Sequence, residues 1–204
     1  MADFTQAAVA DAMAHAETTN PETVVGSAIT PTAGALWALI HMHHAFREEG
    51  ANTNPQSFFV QTNLAATGSD ESWATVAQFT ATDTTTFEEL LDNTEAAGVT
   101  ELAVTLTAGF AAGDYIYIRD ASVVADGEWQ QIQEIATDST IDIMSPGLET
   151  GKDSSDTIYS DAETFTMTLD LSGVARWRVI YMNEGGTAMN TAIWVRYIEV
   201  TDIE

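Results

Sequence analysis

From Ala35 onward, apolar residues recur mostly at every second position, the period of a strand with one face against a core. Residues 36–46, Leu-Trp-Ala-Leu-Ile-His-Met-His-His-Ala-Phe, are apolar on both faces and predict a central strand between Gly34 and Gly50. Residues 57–62, after the Pro55 turn, predict its partner, and residues 73–80 continue in the same style. Residues 164–171 place Phe165, Met167, Leu169 and Leu171 on one side. Residues 175–182 and 191–200 predict two further long strands, joined as a hairpin around Asn183-Glu184-Gly185-Gly186. On the last strand Ile193, Val195, Tyr197 and Glu199 face one way, and Trp194, Arg196 and Ile198 the other.

Between these runs, residues 100–160 carry shorter strands at 102–106, 114–120, 128–135 and 140–144. Gly109 and Gly113 frame one turn, Asp126-Gly127 signals a hairpin, and Ser145-Pro146-Gly147 ends the set. Short strands at this spacing predict a small barrel. Residues 86–91 predict a short helix capped by Thr86, with Glu88 and Glu89 in its first turn.

The first 33 residues differ from the rest. Residues 4–16 predict a weak alanine-rich helix whose thin apolar stripe is Phe4, Val9 and Met13, marginal unless it lies on a surface. Pro21, Gly26 and Pro31 then break regular structure. The expected fold is therefore all-β: a jelly-roll-like antiparallel β-sandwich (34–99 and 161–204) interrupted by a small β-barrel-like module (100–160), with an extended N-terminal arm (1–33).

Composition narrows the function. Thirty-one acidic residues against six basic ones give a net charge of −25 over 204 residues, of which 45% are hydrophobic. That is too apolar for a disordered acidic tail and long enough for a sizeable core. The charge opposes broad contact with nucleic acid or an anionic bilayer, so neither is an expected partner. No run reaches the roughly 18 apolar residues of a membrane span, and Met1-Ala2-Asp3-Phe4 lacks the basic start of a signal peptide. Without cysteine there is no disulfide, thiolate metal site or thiol nucleophile. A single lysine, Lys152, amid abundant Asp, Glu, Thr and Ala fits a protein working in brine or seawater; an acidic surface with no environmental meaning is the equal alternative.

The candidate chemistry is sparse. His41 and His43 share one face of their strand and two such histidines can reach one zinc or copper ion, but further ligands are not apparent, and interface histidines are the commoner case. His43 is therefore a candidate interaction residue, and no metal or cofactor is expected. Residues 147–153 approximate a phosphate loop, but the first glycine comes one place late and Asp153 stands where a hydroxyl must hold magnesium. Adjacent carboxylates such as Glu88 and Glu89 read as solvated charge, and there is no Gly-x-Ser-x-Gly elbow, so an enzyme is not expected. Three of five arginines, Arg176, Arg178 and Arg196, fall on the late strands, where carboxylates of the same chain or of a neighbouring one would hold them.

An N-terminal arm, a β-sandwich, and a strand–turn module reading 113–120, then Asp126-Gly127-Glu128-Trp129 and 132–135, together resemble the virion structural proteins of tailed viruses. The resemblance is closest to capsid decoration, or cement, proteins. It implies a homotrimer on the outer surface of an icosahedral head, made in the host cytoplasm, binding the major capsid protein across neighbouring capsomers. It also implies an arm, with Phe4, Val9 and Met13, that reaches those neighbours. The alternative is a tail, neck or spike component in which Trp129 forms a platform for a host-surface carbohydrate. A jelly-roll hydrolase is a further rival, and it predicts a cleft with a perturbed carboxylate pair.

Overall fold

A computed structural model describes residues 3–6, 8–18, 22–47, 50–51, 55–65, 73–81, 85–160, 162–183 and 191–203. Its strands, in chain order, are β1 (Asp3–Gln6), β2 (Ala10–Thr18), β3 (Glu22–Val25), β4 (Ala35–Phe46), β5 (Gly50–Ala51), β6 (Gln56–Asn63), β7 (Ala74–Ala81), β8 (Thr85–Thr86) and β9 (Glu88–Leu90). They continue as β10 (Glu101–Ala103), β11 (Tyr115–Arg119), β12 (Glu128–Thr137), β13 (Thr140–Ile143), β14 (Thr157–Tyr159), β15 (Ala162–Asp170), β16 (Arg176–Asn183) and β17 (Thr191–Ile203). No α-helix occurs among the described residues.

Two antiparallel sheets face each other. The first runs β1-β17-β4-β15, with β2 also paired to β17; the second runs β3-β16-β6-β7. Between them lie Ile40 and Met42 from β4, Phe58 and Val60 from β6, Trp177, Val179 and Tyr181 from β16, and Ile193 and Val195 from β17. Alternation puts these residues inside, because a strand in a sandwich buries every second side chain. Trp177, fully buried at the centre, carries the largest single share of this core.

The all-β sandwich matches expectation, but the pairings differ. β4 and β6 lie in opposite sheets, with β4 between β17 and β15 and β6 between β16 and β7. β16 and β17 are likewise in opposite sheets, so they do not pair as a hairpin; residues 184–190 lie outside the described residues. Alternation specifies which face is buried and says nothing of which strand lies alongside.

The N-terminal segment is corrected as well. Where a helix was expected over 4–16, residues 4–6 and 10–16 are strand, and Ala12 and Met13 are core residues. β2 pairs with β17, β3 with β16, and Ile29 bridges Trp177, so from Ala10 onward the extended segment is laid along both sheets. β17 takes up the backbone of β2 where a short helix would stand alone, and register shifts on either side of Val195 let both Ala12 and Met13 reach the core.

The remaining six-stranded sheet runs β10-β13-β12-β11-β14-β9 around its own core of Leu102, Ile116, Ile118, Ile132, Ile141, Ile143 and Ile158. Its outer strands meet through a Leu91–Val104 bridge and the 2.9 Å bond from Asp92 N–H to the Ala103 carbonyl, so the sheet curls on itself. It includes Glu88–Leu90, where a helix was expected, because β14 offers those residues an unpaired edge. The hairpin signalled at Asp126-Gly127 forms, with β11 paired antiparallel to β12, but residues 120–127 connect the two strands in place of a two-residue turn. Val124–Asp126 form a 3-10 turn, and Gly127 takes φ −64°, which any residue can adopt. Glycine is required there for space: a Cβ would stand 2.7 Å from His15 Cε1.

Candidate functional site

The outer face of the first sheet contains a seam and, beside it, a pocket. β4 and β17 are in register, so His43 lies opposite Trp194, His41 opposite Arg196 and Ala45 opposite Ala192, all directed away from the core. The six-stranded sheet docks over the Ala45–Ala192 end with Tyr117, Trp129 and Tyr159. Small alanines on one side admit large rings from the other. Trp129 packs 4.5 Å from Tyr117, 5.2 Å from His15 and 5.4 Å from His43, centroid to centroid. Its indole N–H donates to the His44 carbonyl at 3.0 Å. Trp129 is thus committed to this seam and offers no exposed sugar platform.

Polar contacts pin the same seam. His15 Nε2 lies 3.0 Å from the Tyr117 hydroxyl. Glu17 on β2 receives Arg119 Nε at 2.7 Å from the six-stranded sheet and pairs with Arg47, just past β4. Burial would raise the Glu17 carboxyl, but the bonds from Arg119 and Arg47 outweigh it and hold the carboxyl below its ordinary value. Sequence reasoning missed this seam, because its contacts join positions such as 15 and 117 that no local pattern connects.

His44 faces inward and is fully buried, with its Nε2 donating to Gln56 Oε1 at 2.7 Å. Tyr181 shares that acceptor and approaches Thr191, whose hydroxyl meets Thr18 at 2.7 Å. Burial pushes the His44 imidazole down to about 4, with the Gln56 bond opposing. Burial, aided by the positive charge of Arg196, pushes His43 down to about 3. His41 and His43 do share a face, with rings 6.5 Å apart. Among the described residues no group of three or more His, Cys, Asp or Glu side chains is placed to hold a metal ion.

The pocket, of about 230 Å³, is lined by Val9, His41, His43, Arg196, Tyr197 and Ile198. The Arg196 guanidinium stacks 4.0 Å from the Trp194 ring, whose indole N–H donates to Asp11 Oδ1 at 2.9 Å. On the other sheet Arg178 and Arg176 lie 4.2 and 5.3 Å from the Trp73 ring, on the face of β16 opposite Trp177. The three arginines expected to gather on adjacent strands therefore occupy the outer faces of two different sheets. The other basic side chains, Arg47, Arg119 and Lys152, are in ion pairs with Glu17 and Glu128.

The stripe expected from Phe4, Val9 and Met13 does not form, because on strands Met13 faces the core while Val9 sits exposed at the pocket's lip. Phe4 lies opposite Asp202 in the β1–β17 ladder; its side chain is outside the described residues.

No family model and no curated protein matches the chain in sequence. Among solved structures it is similar to VP17, a capsid protein of bacteriophage P23-77, at TM-score 0.18 and 9% identity over 97% of this chain and 99% of that one. It is also similar to infectious bursal disease virus, Gt strain, at TM-score 0.26 and 7% identity, where it spans 42% of the length of the matched chain. A third likeness is to the PBSX exported protein XepA, at TM-score 0.24 and 10% identity over 95% of this chain and 86% of that one.

Proposed function

We propose that this chain is a virion structural protein of the decoration type, a non-enzymatic homotrimer that binds the major capsid protein across neighbouring capsomers on the outside of the head. One observation carries the reading: the basic side chains are divided. Three are in ion pairs within the chain, and three lie over tryptophan rings on the outer faces of both sheets, where Arg176 Nε and Arg178 Nε also donate to the Ala65 carbonyl and Gln61 Oε1. A chain of net charge −25 repels its own copies, and positive charge placed on opposite faces offsets that repulsion where neighbours approach. The two-sheet body supplies a rigid frame, and the acidic remainder keeps it soluble at high copy number.

The deciding experiment is to locate the protein in purified particles by cryo-electron microscopy and to weigh the free chain in solution. Trimers on the head exterior support the reading. Confinement to a tail, or absence from particles, overturns it.

A further inference from the structure

The pocket beside the seam has a composition at odds with the rest of the chain. Acidic residues outnumber basic ones 31 to 6, yet none of the six residues lining it is acidic, while Arg196, His41 and His43 all line it. Asp11, opposite Arg196 in the β2–β17 ladder, is engaged with the Trp194 indole N–H at 2.9 Å. Among the described residues no carboxylate pairs with Arg196; its partner is the Trp194 ring, which fixes the plane of the guanidinium. His43 is only 7% exposed; its Nδ1 lies 3.1 Å from the Thr164 hydroxyl, and its buried Nε2 has no hydrogen-bond partner. A threonine hydroxyl can donate to Nδ1, and in that tautomer Nε2 carries a proton with nothing to receive it. Val9 and Ile198 supply apolar walls.

We infer that this pocket is a carboxylate-binding site, formed by Arg196, His41 and His43, for an acid group carried on a short apolar chain. The guanidinium offers paired N–H donors to the two oxygens. The apolar walls favour a carboxylate with a hydrocarbon stem over a bare inorganic anion. At about 230 Å³ the pocket is smaller than the usual range for drug-sized ligands, and it suits a side chain or a small acid. Two sources share this chemistry: a free organic acid, or a Glu or Asp side chain of a neighbouring protein. The inference does not depend on the virion reading, since either source satisfies the same donors.

The test uses the full chain at pH 7 and constant ionic strength, titrated with sodium butanoate and, as the uncharged control, butanamide. Tryptophan fluorescence and the His41 and His43 ring resonances report binding. Saturable changes with butanoate, with a Kd of about 1 mM, a weakening of at least about tenfold in Arg196→Gln, and no saturation with butanamide support the site. No saturation with butanoate, equal effects of the two probes, or an unchanged Arg196→Gln response overturns it. Circular dichroism of Arg196→Gln, together with a Val9→Asp variant that places an acid at the lip, separates loss of the site from loss of fold; undiminished butanoate binding to a folded Val9→Asp chain overturns the assignment. Sedimentation distinguishes the sources. Self-association that butanoate dissolves assigns the site to a neighbour's carboxylate, and mass unaffected by bound butanoate assigns it to a free acid. Failure of the virion reading would instead appear as absence from particles, whichever way the titration falls.

Discussion

The Tyr117 hydroxyl lies 3.0 Å from His15 Nε2, across 102 positions of chain, and joins the six-stranded sheet to an edge strand of the sandwich. Tyr117 is fully buried, so Tyr117→Phe leaves the imidazole without that partner where water does not readily replace it. The expected loss is about 1–3 kcal/mol. Gly127→Ala acts on the same contact through sterics, since its Cβ meets His15 Cε1 at 2.7 Å. Both variants should lower the urea midpoint while the far-ultraviolet circular dichroism stays that of a β protein; midpoints equal to the parent's would refute the seam.

Acid should weaken the fold over two overlapping windows. His44 and His43 are held neutral by burial, at about 4 and about 3, whereas an unfolded histidine titrates near 6.5. The unfolded chain therefore binds more protons, and their contribution is full above about pH 6.5 and falls as pH drops toward 4. Glu17 is held below its ordinary value, so its contribution is present above the ordinary carboxyl range and disappears as pH falls through its depressed value. Urea midpoints from pH 7 to 3 check this. His44→Asn should flatten the upper window and Glu17→Gln the lower one, and curves parallel to the parent's would contradict both assignments.

Lys152, the only lysine, is buried with Glu128 Oε1 2.8 Å from its ammonium and the Asp126 carbonyl at 2.9 Å. Glu128 also accepts the Glu149 backbone N–H and the Gln130 side-chain amide, both at 2.8 Å. Lys152→Met strands this carboxylate, at an expected cost of about 3–5 kcal/mol. Adding Glu128→Gln removes the stranded charge and should recover part of that loss. An amine-reactive reagent should spare Lys152 in the native protein and modify it in urea, as read by mass spectrometry; rapid native labelling would refute its burial.

The N-terminal segment should behave as part of the body. Met13 is 4% exposed between the two sheets, and Met13→Ala should cost about 2–5 kcal/mol. Removing residues 1–33 takes away β2 and β3 together and should give a chain without cooperative unfolding. A truncated chain with the parent's melting curve would restore the idea of an arm that merely leaves the domain.

How much of this was legible in the sequence can be judged from particular residues. The inward set Ile193 and Val195 and the outward set Trp194 and Arg196 follow from alternation alone, as does the shared face of His41 and His43. The sequence over 4–16 favours helix because alanine-rich segments suit helix by propensity, and only the open edge of β17 makes a strand of its second half. The doubly apolar run of β4 was visible, but the reason for its outer face was not: that face lies partly beneath Tyr117 and Trp129.

The sequence by itself determined the class of fold, most of the strand positions, the inward and outward side chains and the acidic surface, because each follows from a local period or from counting charges. Tertiary structure alone decided which strands became neighbours, that the arginines part onto two faces, and that His43 and Arg196 meet Val9 in one pocket. Those outcomes depend on contacts between residues far apart in the chain, and a side-chain pattern of period two is satisfied equally well by many pairings.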